Sequence, residues 1–160
     1  MNSSAISRRH LCGFASMLLA AVALEACGSV TPSQAATDAG LIASGLASAV
    51  AALSAMPGIP ADKLALVQTA LADIKAASAS LASSTAGVDA TTVKGIATLV
   101  TQIAVTVLPF VPGGAPIAAV IAAAQSLVPV LLAAAGIAGA ATAAARFSPA
   151  EARALLKAGV

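Results

Sequence analysis

The sequence predicts an all-α fold, and three observations carry that expectation. Apolar residues recur at spacings of three and four through four long segments. Proline-glycine punctuation separates those segments. The alternation expected of half-buried strands is sustained nowhere. The chain has 160 residues, room for one domain. It is 59% hydrophobic and 9% charged, with a mean hydropathy of +0.99. Alanine, more than a quarter of the chain, accounts for much of that value while burying little area per residue. The expected architecture is a small Ala-rich helical bundle of two tandem αα-hairpins plus a short C-terminal helix, preceded by an N-terminal signal helix.

The first element is that leading helix. Arg8 and Arg9 precede an uncharged run from Leu11 to Leu24. A positive start followed by an apolar run of about fourteen residues is the layout of an export signal, and is short of the roughly twenty residues that cross a bilayer. Ser7-Arg8-Arg9-His10-Leu11 resembles the twin-arginine signature, with Leu11 in the place of the usual Phe. The run ends in Leu24-Glu25-Ala26-Cys27, which resembles a bacterial lipobox; Glu25 stands where that motif has Ala, Ser or Thr. These resemblances imply passage through the twin-arginine export machinery. They also imply cleavage between Ala26 and Cys27, lipidation of the Cys27 thiol, and a periplasmic, membrane-anchored product. Small residues at Ser33 and Ala35 offer a second cleavage position, which would give a soluble periplasmic protein. The expected organisation is 1–26 as export signal, 27–37 as flexible tether and 38–160 as helical domain.

The body then divides in order. The first helix is expected over roughly 38–55, with Ile42, Leu46, Ala49 and Leu53 on one face. The second, 61–84, carries Leu64, Val67, Leu71, Ile74 and Leu81. The third, 90–108, aligns Val93, Ile96, Val100, Ile103 and Val107, although its Thr and Val content also suits a strand. The fourth, 116–135, offers Ile117, Ile121, Ala124, Val128 and Leu131. Met56-Pro57-Gly58-Ile59-Pro60 and Val111-Pro112-Gly113-Gly114-Ala115-Pro116 each put Pro-Gly in a turn and a second Pro at a helix start. Their recurrence about 55 residues apart suggests a weak internal duplication. Asp89 reads as an N-cap, and Ser148-Pro149-Ala150-Glu151 as a capping box opening a short helix with Leu155 and Leu156. Pro129 is expected to kink or restart the fourth helix.

No charged residue lies between Lys94 and Arg146. By length alone, 95–145 could form a transmembrane hairpin, with Gly136 and Gly139 allowing close helix approach. Thr98, Thr101, Gln102, Thr106 and Gln125 pull towards a soluble or peripheral bundle, as do the absence of Trp and Tyr and the export of folded cargo that a twin-arginine signal implies.

Composition removes most chemistry. His10 is the only histidine, and cleavage at Cys27 would discard it with Cys12. The common nucleophile–base pairs and most zinc sites then have no residues to build them. Asp38, Asp62, Asp89 and Glu151 fall at expected helix starts, where a negative charge favours the helix dipole or caps free N–H groups. Asp62 and Asp73 share a helix face but stand roughly 16 Å apart along its axis, too far for a paired acid–base mechanism. No catalytic, metal or cofactor site is expected. A formal charge of +2, with scattered basic residues, gives no footprint for nucleic acid. The sequence thus points to an exported, lipid-anchored helical protein with a structural or interaction role in the cell envelope, with Ala-rich faces that suit a homo-oligomer. The alternative is a holin-like or pore-forming protein that inserts its 95–145 hairpin.

Overall fold

A computed structural model describes residues 30–112, 115–137 and 146–159. These residues form α1 (Pro32–Ser54), α2 (Ala61–Ser83), α3 (Ala90–Val107) with a 3₁₀ turn at Leu108–Phe110, α4 (Pro116–Ala134) and α5 (Pro149–Ala158). No strand occurs among the described residues, so α3 is helical despite its Thr and Val content. The protein is a small all-α bundle.

The helix starts follow from local chemistry. Thr31 caps α1 by accepting a bond from the Gln34 N–H at 3.2 Å, and Pro32 follows where its missing N–H costs nothing. Asp89 caps α3, accepting from the Thr92 N–H at 2.7 Å. Ser148 and Glu151 form the full reciprocal capping box of α5. Gly58 (φ +93°) turns the chain between α1 and α2. Gly136 (φ +71°) closes α4, with the Ile137 N–H donating back to the Leu132 carbonyl at 2.9 Å.

Two expectations need correction. Residues 32–37 are not a tether but the first turns of α1, because the Thr31-Pro32 start signal outweighs the polar, turn-like composition. Of the two outcomes expected at Pro129, a kink or a restart, the restart does not occur, since α4 runs on to Ala134. A proline inside a helix costs about 3 kcal/mol, and here Leu127 and Leu131, both fully buried, flank it and hold the helix in the core.

Successive helices are neighbours, and α4 returns to pack on α1, which closes a four-helix ring. The short connections make consecutive members antiparallel. Helix α5 lies against both α1 and α4. It runs parallel to α1: Arg153 meets Asp38, Leu156 meets Gly45 and Gly159 meets Ser48, both partners ascending together. Among the described residues the core contains no aromatic ring. Ile42, Leu46, Leu53, Ile74, Ile96, Ile103, Ile121, Leu127 and Leu131 are its largest fully buried side chains, with Ala filling the closer approaches. All five stripe residues expected on α3 are buried.

Candidate functional site

The one deeply buried charge among the described residues is Asp38, with 0% exposure. Because α1 begins at Pro32, Asp38 stands in the second turn, on the inward face that also carries Ala35, Ala39 and Ile42. It is therefore not the helix-start acid that the sequence suggests. Its partner, Arg153, comes from α5, a helix fixed at its start by the Ser148–Glu151 box and seated through Ala152 and Leu156. The guanidinium takes the carboxylate as a fork: Nε donates to Oδ1 at 2.7 Å and Nη2 to Oδ2 at 2.7 Å. Gln34 Nε2 adds a third bond to Oδ1 at 3.1 Å.

Bidentate, charge-assisted bonds of this length are the strong and directional kind. The hydrogen bonds it donates to Asp38 hold the Arg153 guanidinium above its ordinary pKa, with burial opposing them. The cost of desolvating an ion pair offsets much of its attraction, so the pair specifies geometry more than it adds stability. Removing one partner is a different matter, since a buried charge is then left alone. The carboxylate is fully engaged, and among the described residues no hydroxyl, thiol or imidazole bonds to it. This arrangement fits a joint between helices.

Close packing completes the joint. A Cβ at Gly45 would fall on the Leu156 side chain, so glycine is what lets α5 approach α1 there. Further along, Gly159 (φ +68°) lies beside Ser48.

The remaining carboxylates behave as the sequence suggests. Asp62 lies in the first turn of α2. The Asp89 carboxylate is held below its ordinary pKa by the hydroxyl and N–H of Thr92, and Glu151 by the hydroxyl and N–H of Ser148. Asp73 is exposed on α2. The export and lipidation residues expected from sequence, Arg8, Arg9, Leu11, Ala26 and Cys27, lie outside the described residues.

A second feature is the end of the bundle opposite residue 31. The exposed large apolar side chains Leu66, Val105, Leu108 and Phe110 all lie within about two turns of it. Leu64, Val67, Thr106, Val107 and Phe110 line a notch there with Lys63 at its edge. Its volume of about 10 Å³ has room for a single water molecule. A wider, open depression beside Phe147, Glu151 and Leu155 is mostly exposed surface.

Sequence reasoning missed the Asp38–Arg153 joint. A signal was present: once α1 is extended back to the Thr31-Pro32 start, Asp38 joins Ala35 and Ile42 on the apolar stripe, and a charge there needs a partner. No family model, curated protein or solved structure matches the chain.

Proposed function

We propose that the protein is exported by the twin-arginine route, cut before Cys27 and held to the membrane by lipid on that residue. There its bundle serves a structural or interaction role rather than a catalytic one. The observation that carries the choice of cleavage position is the start of α1. A cut before Cys27 leaves Thr31, Pro32 and every described helix in place. The alternative cut after Ala35 would run through α1. It would remove the Thr31 cap, the fully buried Ala35, and Gln34, which donates to the Asp38 carboxylate. The anchored product is therefore also the one that keeps every described helix whole.

Mass spectrometry of the processed protein tests this directly. The expected mature chain begins at acylated Cys27, and Cys27→Ala shifts the protein from the membrane to the soluble fraction. A mature N-terminus at Ala36, or unchanged membrane fractionation of the variant, overturns the proposal. Replacing Arg8 and Arg9 with Lys should stop export; continued export would point to the general secretory route.

One observation favours the second reading, insertion of the uncharged hairpin. The segments Pro32–Ser54, Ala90–Phe110 and Pro116–Ala134 are each long and apolar enough to cross a membrane. The hydroxyls of Thr98, Thr101 and Ser126 donate to carbonyls of their own helices, which lowers the cost of placing them in lipid. Dye release from liposomes by the purified protein supports this reading, and retention of dye excludes it.

A further inference from the structure

The groove between α1 and α4 holds the short helix α5, which brings Arg153 to Asp38 and Leu156 to Gly45. We infer that this groove accepts α5 from a second copy of the chain as well as its own α5, so that two copies can exchange C-terminal helices. The inference gives a partner to the interaction role proposed above, and so rests on that reading.

The groove's chemistry selects the occupant. Its floor holds the Asp38 carboxylate, buried with 0% exposure and bonded by Arg153 at 2.7 Å through both oxygens. Lipid is a poor alternative cover, because an unneutralised carboxylate facing hydrocarbon is costly. A purely apolar helix would leave the same charge without a partner. The occupant must bring a guanidinium to Asp38 and a leucine to the gap above Gly45. Helix α5 of another copy does both by identity.

The resident helix is short, and it is joined to α1 through one ion pair and one close packing contact. Only Ala152 and Leu156 of its ten residues are fully buried, with Arg153 and Leu155 half-buried and the other six exposed. Elements with so few buried apolar contacts open before the rest of a fold does. The fourteen residues from 135 to 148 separate α4 from α5, where neighbouring helices in a bundle need roughly two to eight. A connection of that length spans at most about 50 Å, so chain length alone does not forbid α5 from reaching an adjacent copy. Anchoring copies on one membrane would raise their local concentration and favour the exchange.

A reciprocal charge reversal tests the idea in solution, with no lipid involved. The full chain is used, with Cys12→Ser and Cys27→Ser throughout. Asp38→Arg places two guanidinium groups at the joint, and Arg153→Asp places two carboxylates there. Each variant alone has a mismatched groove. Mixed, the basic groove of the Asp38→Arg chain can take the acidic helix of the Arg153→Asp chain. In return, the second chain's unaltered Asp38 can take the first chain's unaltered Arg153. The expected result is a one-to-one heterodimer as the main species by native mass spectrometry and light scattering, with neither variant dimerising alone.

The original charges at the joint are retained in a second experiment, which keeps the test decisive if the reversed variants fold poorly. Ser48→Cys chains are mixed with Gly159→Cys chains, and a disulfide between copies can form at the α1–α5 contact only if α5 docks in trans. The expected yield of cross-linked dimer rises with protein concentration and falls severalfold when Arg153→Ala is added. A mixture that stays monomeric, or a yield indifferent to Arg153, overturns the inference. Loss of the lipid anchor would leave these results unchanged and is read separately, from the Cys27→Ala fractionation.

Discussion

Helices α1 and α2 have the same length, 23 residues, and similar apolar spacing, yet α1 buries ten residues and α2 five. The difference lies partly in their neighbours. Helix α2 packs on α1 and α3, and its outer face carries Asp62, Lys63, Asp73 and Lys75 in solvent. Helix α1 packs on α2, α4 and α5, and its small residues let the third neighbour in. Helix α1 is both the more apolar of the two and the one with three neighbours, and its extra burial follows from the two together. The single charge on α1 is tolerated because the third partner brings its counter-ion.

The contrast can be broken most forcefully at that counter-ion. Arg153→Ala leaves the Asp38 carboxylate buried without its main partner and should cost about 3 to 5 kcal/mol. Lys75→Ala on the outer face of α2 should change stability by less than about 0.5 kcal/mol. Urea unfolding followed by far-ultraviolet circular dichroism measures both, and similar losses would remove the distinction between the helices.

Leucines give the next comparison. Leu46→Ala on α1, at 0% exposure, should cost about 2 to 4 kcal/mol. Leu66→Ala on α2, at 42% exposure, should cost under about 0.5 kcal/mol. Gly45→Ala should destabilise by about 1 to 2 kcal/mol, because the new methyl forces Leu156 aside. Its effect should shrink when Leu156→Ala is already present, because the closest contact is with the leucine's Cδ2, and an additive result would mean that α5 does not pack there. Ser148→Ala, which opens the capping box of α5, should cost about 1 kcal/mol.

Acid should produce the smallest effect. The folded pKa values of Asp89 and Glu151 lie below their ordinary values of 3.8 and 4.5. A lowered carboxylate pKa stabilises the fold above the unfolded value and loses that contribution as pH falls through the folded one. The contribution of both caps should therefore be intact at about pH 6 and decline below the ordinary values. Asp89→Asn should flatten its share of that decline in thermal midpoints measured across the acid range.

Much of this architecture is legible in the residues. The boundaries of α2, α3 and α4 fall within one residue of the periodic segments, because Pro-Gly turns, Asp89 and Pro116 mark them chemically. The start of α1 is obscured, since GSVTPSQAAT has the composition of a linker while Thr31-Pro32 has the chemistry of a cap. That shift of six residues also hides the joint: an acid expected in the first turn looks like a dipole partner, whereas one in the second turn faces the core. Arg153 carries no local mark at all. Its role depends on a residue 115 positions away, and helix periodicity describes faces without saying which faces meet.

That separation sets an order of events during synthesis. Four helices and the whole ring between them leave the ribosome before Arg153 does, so the Asp38 carboxylate waits through most of translation without its counter-ion. Seating α5 then has to wait until the end of the chain has been made. A chain stopped short of residue 153 would have a nearly complete core and a bare acid on its flank. Such a chain differs from the finished one at a single place, which is where a quality-control factor sensitive to exposed apolar grooves would find it.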